Sequence, residues 1–186
     1  MLHTIDLLAL AALHETSGAG GFGSGFLHPL TGADHALAMI AVGLWGAQLG
    51  KPAVALLPVA FPLAMTLGAF VGFSGVELGA VEICIALSAI LLGLVVMLET
   101  RPPLWLALLL VAGFAIFHGY AHGTELPEGE DGLRYSIGFV LSTGLLHAVG
   151  ITLGLVHRHA WGRKLMRGLG GGVCIAGCWF LWSALR

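Results

Sequence analysis

Six apolar stretches follow one another along the chain, at roughly residues 20–49, 53–74, 78–98, 103–121, 134–156 and 165–185, with most charged residues gathered between them. Each is close to or above the ~20 residues that a helix needs to cross a ~30 Å hydrocarbon core. The pattern predicts an all-α fold: a polytopic membrane bundle of six transmembrane helices in one domain, residues 18–186. The first stretch carries HPLTGADH at 28–35. Proline inside a helix removes a backbone hydrogen bond and clashes with the preceding turn, and glycine lowers the cost of irregular φ/ψ. The first helix is therefore expected to kink or break at PLTG, as helices do where they line a binding site at membrane depth.

Residues 1–17 stand apart. MLHTIDLLALAALHETS has a short apolar core and an Ala9-Leu10-Ala11 like a secretory cleavage site, but it carries Asp6 and no basic start. It reads as a signal-peptide-like or interfacial segment, expected as a short helix at the outer surface, because its apolar run is too short to span.

Composition strengthens the membrane reading. Hydrophobic residues make up 58% of the 186 and charged residues 10%, against about a quarter charged in soluble domains. No basic stripe exists for nucleic acid. Lys51, Arg101, Arg158, Arg163, Lys164 and Arg167 fall in loops on one side, opposite Arg134, Arg186 and the acidic TELPEGEDG at 124–132 with Glu125, Glu128, Glu130 and Asp131. Positive-inside bias predicts both termini outside. Glycine, at 29 residues, falls inside the apolar runs as well, and pairs such as Gly68 and Gly72 predict close helix packing.

Polar residues can then be placed by depth. His28 lies about eight residues into the first span, or ~12 Å. His118, His122 and Glu125 follow at spacings of four and three, which puts them on one helical face at the outer end of the fourth span. Glu82 is a few residues inside the third span, and His147 is near the middle of the fifth, one turn from Thr143. All converge on the outer half of the bundle. A break in the first helix would gather His28, Asp34 and His35 around one pocket.

Ionisable groups in a membrane are costly and mark function by default. Imidazole with carboxylate suits divalent nickel, cobalt, zinc or copper, and the lack of a thiolate cluster argues against an iron–sulfur site. Blander readings stand beside this one. His118, His122 and His147 would serve as interhelical hydrogen-bonding glue, Asp34 as an orienter that never touches metal, and Glu82 as an interfacial charge that snorkels. His157 and His159 read as headgroup-facing loop residues, and Cys174 and Cys178 as packing residues.

HPLTGADHALAMIAVGLW, FHGYAHGTE at 117–125 and GFVLSTGLLHAVG at 138–150, in that order, resemble the HupE/UreJ family of membrane proteins associated with hydrogenase and urease. The three blocks cover almost the whole chain from Gly20 onward. The resemblance implies a secondary permease of the bacterial inner membrane that carries nickel, or cobalt in some members, for metalloenzyme assembly, with the ion as cargo and no resident cofactor. The implied metal residues are His28, Asp34 and His35, then His118, His122 and Glu125, with His147 from the third block; Glu82 joins them from its depth alone. Members usually begin, after cleavage, with a His-Pro-Gly-His-like sequence, whereas this chain has His14-Glu15-Thr16.

The expected mechanism is a relay. The acidic loop concentrates cations outside, and the histidine face hands the ion inward. Only neutral imidazole binds metal, so loading releases protons. Three rivals remain at this point: a haem-binding subunit with histidine axial ligands, an intramembrane metalloenzyme, and an accessory subunit of a larger membrane assembly that keeps the permease fold without transport. The second is not expected, because no HExxH is present and His118 to His122 encloses no glutamate to act as base.

Overall fold

The computed structural model describes residues 20–124 and 131–186. The N-terminal segment 1–17 and Glu125, Glu128 and Glu130 of the acidic connection lie outside the described residues. Those that are described form seven α-helices and no strand: α1 (Gly20–Thr31), α2 (Ala33–Leu49), α3 (Ala53–Phe73), α4 (Val81–Met97), α5 (Leu104–Thr124), α6 (Gly132–Gly154) and, after a 3-10 turn Leu155–Arg158, α7 (Ala160–Ala184).

Four stretches are long and apolar enough to cross a membrane as continuous helices: α3, α5, α6 with its 3-10 extension, and α7. The third apolar run of the sequence gives α4, with 17 residues, a rise of about 25 Å. The first run is divided between α1 and α2. Pro29 sits inside α1, and the helix is interrupted at Gly32, whose backbone is extended at φ −81°, ψ 100°. The Gly32 N–H still donates to the His28 carbonyl, 3.2 Å, and the ladder resumes with the Ala36 N–H on the Gly32 carbonyl, 2.9 Å. Between them, the His35 N–H donates to the Asp34 carboxylate, 2.9 Å.

Local chemistry explains the other boundaries. Gly50, at φ 76°, ends α2 with its N–H on the Gly46 carbonyl, a backbone conformation that favours glycine. Asp131 caps α6 by accepting from the N–H groups of Leu133 and Arg134, at 3.0 and 3.2 Å.

Glycine sets how the helices pair. A Cβ at Gly68 would fall on the Ile116 carbonyl and one at Gly72 would lie 2.7 Å from the Tyr120 carbonyl, while a Cβ at Gly119 would meet the Met65 backbone. Helices α3 and α5 are thus in backbone contact and run parallel, as the rising residue pairs require. Gly43 against the His147 backbone and Gly150 against Ile40 join α2 to α6 in the same way. Gly25, against Tyr135, joins α1 to α6, so α1 and α2 lie in succession along one partner. Gly93 and Gly170 join α4 to α7, which run antiparallel, since Gly177 meets Ile90. The packing role expected of Gly68 and Gly72 is what they perform, because without a Cβ two helices approach to backbone contact.

Trp45, Phe61, Met39, Leu57 and Leu92 are fully buried between these pairs. Trp45 donates its indole N–H to the Thr100 carbonyl, 3.1 Å, and Gln48 donates to the Val96 carbonyl, 3.0 Å. Both bonds tie α2 to α4 and the turn after it. Many large apolar residues face outward, among them Phe70, Leu67 and Trp179. A surface of this kind, with several long apolar helices, is compatible with lipid on all sides and with a multi-pass membrane protein.

Candidate metal centre

Three helices bring four histidines together. Glycines at 119 and 123 hold α5 against α3, and the histidines that precede them in HGYAHG meet side chains of α1 and α2, with His118 also against α3 and α4. His118 and His122 are one turn apart and both buried. His28, near the end of α1, and His35, in the first turn of α2, come to either side of His122, with ring centroids 4.7 and 4.5 Å from it. His35 also packs on His118 at 4.7 Å. His28 and His35 are thus joined through His122, which stands opposite the Gly32 interruption.

Hydrogen bonds orient two of these rings. The Asp34 carboxylate lies 2.9 Å from His35 Nδ1. The imidazole N–H there donates to the carboxylate and leaves Nε2 with its lone pair. That nitrogen is buried and has no hydrogen-bond partner. Asp34 therefore acts in this geometry as the orienter of His35, the carboxylate–histidine arrangement common behind metal ions. His118 Nε2 lies 2.8 Å from the Ser88 hydroxyl, at the middle of α4.

One turn deeper, the Phe61 ring of α3 lies between two histidines, 5.7 Å from His118 and 5.4 Å from His147. His147 is 2% exposed, and neither of its nitrogens has a partner, nor do the Ser142 and Thr143 hydroxyls beside it on α6. Nδ1 of His118 and both nitrogens of His122 are also buried without a partner. Each unsatisfied buried polar group costs about 1–3 kcal/mol. A line of them through a helical bundle is what a conduit for a ligand-hungry cation would present.

The rings cross steeply, at 81° for His28 with His122 and 87° for His35 with His118. Edge-to-face packing directs neighbouring lone pairs along different lines. Among the described residues, no three His, Cys, Asp or Glu side chains are grouped so as to hold one ion together. The arrangement is a ladder of pairs rather than a closed cage. Its upper end adjoins a cavity of about 210 Å³ beside His122, lined chiefly by apolar side chains such as Met65, Phe70 and Phe139.

The expected residues thus divide. His28, Asp34, His35, His118 and His122 meet. His147 is set apart from them by Phe61. Glu82 is exposed in the first turn of α4, and among the described residues no hydrogen bond or ion pair joins it to the histidines. Glu125 lies outside the described residues. His157 and His159 are at the turn before α7, the first bonded to the Gly154 carbonyl, 2.8 Å, and the second stacked on Trp161. Ser88 and Phe61 belong to the site but carry no mark in the sequence. A serine and a phenylalanine in apolar helices look like packing, and only the α4–α5 and α3–α6 contacts reveal them.

The chain matches the family described as HupE / UreJ protein over residues 2–180. It is 39% identical over 176 residues to Protein HupE of Rhizobium leguminosarum bv. viciae, an alignment that covers 95% of this chain and 92% of that protein. No solved structure matches.

Proposed function

The chain belongs to the HupE/UreJ family, and from that membership we propose that it is a secondary permease for a divalent transition-metal ion, nickel in the first place, that supplies metalloenzyme assembly. Cobalt is the alternative cargo, because the same ligands accept it. The protein is not an enzyme in this reading and has no resident cofactor; the ion is its substrate. Residues 18–186 form one transport domain.

The observation that carries the proposal is the run of buried imidazole nitrogens without partners at His35, His118, His122 and His147. Glue histidines would have spent these atoms on hydrogen bonds. A cation entering from the outer side would meet His28 and His122, pass to His35 and His118, and reach His147 once the Phe61 ring yields. Two ligands at a time, with water or Glu125 completing the shell, allow the ion to move on, as a closed cage would not. The Asp34 carboxylate holds His35 ready and offsets part of the positive charge. Each neutral imidazole that takes the metal must first be free of a second proton, which links uptake to pH.

Six passes through a bacterial inner membrane, with both termini outside, complete the reading. The first pass is α1 and α2 together, broken at Gly32. Six alternating passes require α3 and α5 to run the same way, the first and fifth passes to run the same way, and α4 and α7 to oppose each other. The glycine contacts have these directions. The basic residues of the α2–α3, α4–α5 and α6–α7 connections then face the cytoplasm.

A haem subunit is disfavoured by the ring contacts. Axial ligands stand on opposite faces of a broad planar macrocycle, and the histidines here touch edge to face. The test is uptake of Ni²⁺ into liposomes that contain the purified protein, with Co²⁺ as competitor. Saturable uptake, lost when His118 and His122 are both replaced by Ala, is expected. Uptake no greater than in protein-free liposomes, or a Soret band in the purified protein, overturns the proposal.

A further inference from the structure

Ser88 is the polar member of an otherwise apolar buried face of α4 and is fully buried. Its Oγ lies 2.6 Å from the Ile85 carbonyl oxygen, one turn back, and 2.8 Å from His118 Nε2. A hydroxyl has one hydrogen to donate, and a carbonyl has none. Two oxygens at 2.6 Å need that hydrogen between them, so the Ser88 O–H donates to Ile85. Oγ then turns only lone pairs toward His118, and Nε2 must be the nitrogen that carries hydrogen. In a neutral imidazole the lone pair is then left on Nδ1. That atom is buried and has no hydrogen-bond partner.

We propose that Ser88 is a positioning residue that locks His118 in the Nε2–H tautomer and so presents Nδ1 as the atom that binds the metal ion, a role that rests on the permease reading above. The two oriented histidines of the ladder are thereby set in opposite senses. Asp34 takes the Nδ1 hydrogen of His35 and leaves Nε2 for the ion; Ser88 takes the Nε2 hydrogen of His118 and leaves Nδ1. Because Nδ1 is the ring nitrogen nearer the chain, an ion reaching His118 through Nδ1 is drawn closer to the α5 backbone than one at Nε2 would be. A hydroxyl kept only for packing would do nothing to choose between two nitrogens.

The experiment compares Ser88→Thr with Ser88→Val in the full-length protein, because both variants add the same methyl bulk and differ in the hydroxyl. Ser88→Ala supplies a smaller change should both larger residues misfold. Imidazole ¹⁵N shifts of histidine-labelled protein, with the His118 signals identified by their loss in His118→Gln, read the tautomer without metal. Isothermal titration with Ni²⁺ reads binding. Wild type and Ser88→Thr should show hydrogen on Nε2. Ser88→Val and Ser88→Ala should show a tautomer mixture and bind Ni²⁺ about 10–100-fold more weakly, the usual cost of losing a group that orients a metal ligand. Hydrogen on Nδ1 in the wild type, or a Ser88→Val protein with unchanged tautomer and Ni²⁺ affinity, overturns the assignment. A tautomer that follows the hydroxyl in a protein that never binds Ni²⁺ upholds the lock and overturns the permease reading instead.

Discussion

Replacing Gly119 with alanine probes whether helix pairing sets the aim of the histidines. A Cβ there would meet the Met65 carbonyl oxygen and lie 2.6 Å from its carbon and 2.7 Å from its Cα, all backbone atoms that have no rotamer to change. Ordinary carbon contacts are 3.5–4.0 Å, so α5 must move off α3 by about 1 Å at this point. Gly119 adjoins His118 and lies three residues before His122, and both rings move with it. Metal–ligand distances tolerate only about ±0.2 Å, so a shift of this size removes His118 and His122 from effective ligation. Ni²⁺ uptake in proteoliposomes should fall at least about 10-fold, at the scale of lost ligand orientation. Overpacking should destabilise by only about 1–3 kcal/mol, so the protein still inserts and elutes as a single species. Gly113→Ala, on the same helix with nothing within 4 Å of the added Cβ, is the matched control and should leave uptake unchanged. Wild-type uptake by a folded Gly119→Ala protein would refute the argument that glycine contacts aim the ligands.

Four further outcomes are expected. His118→Ala and His122→Ala should each lower Ni²⁺ uptake strongly while membrane insertion persists; unchanged uptake in both returns them to hydrogen-bonding glue. Asp34→Asn keeps the shape of the side chain but removes the charge that holds His35 Nδ1–H, and Ni²⁺ affinity by titration should drop about 10–100-fold. Acidification should weaken uptake, because protonated imidazole has no lone pair for the ion; a pH series in liposomes that rises toward acid would contradict this sign. In a variant lacking the native cysteines, an impermeant thiol reagent applied to intact cells should label Glu77→Cys, in the α3–α4 connection, and miss Arg163→Cys at the start of α7; the reverse pattern refutes the orientation.

Much of the histidine cluster was legible because depth and spacing are linear properties of a helix. His118 and His122, four apart, share a face in any α-helix, and HPLTG announces an irregular backbone whatever surrounds it. The interruption falls at Gly32, the last residue of PLTG, while Pro29 lies inside α1. Glu82 and His147 show the limit of the same reasoning. Both were placed at plausible depth, yet one shares no hydrogen bond or ion pair with the histidines among the described residues and the other sits behind Phe61. Depth along a helix says nothing of which way a side chain turns about its axis.

The sequence by itself determined that the chain is a helical membrane protein of one family, that its polar groups gather toward one end, and that glycines at 68 and 72 mark a tight helix pair. The family follows from the resemblance of the three sequence blocks, and the rest from hydropathy, length and small-residue spacing, which are read without knowing any neighbour. Only the tertiary structure decided that α1 and α2 lie in succession along α6, that His122 stands between His28 and His35, and that Ser88 and Asp34 choose opposite nitrogens of their histidines. Such facts depend on the rotation and register of one helix against another. They are set by backbone contacts at Gly25, Gly43, Gly119 and Gly150 with residues far away in sequence, and a contact between distant segments has no signature in either segment alone.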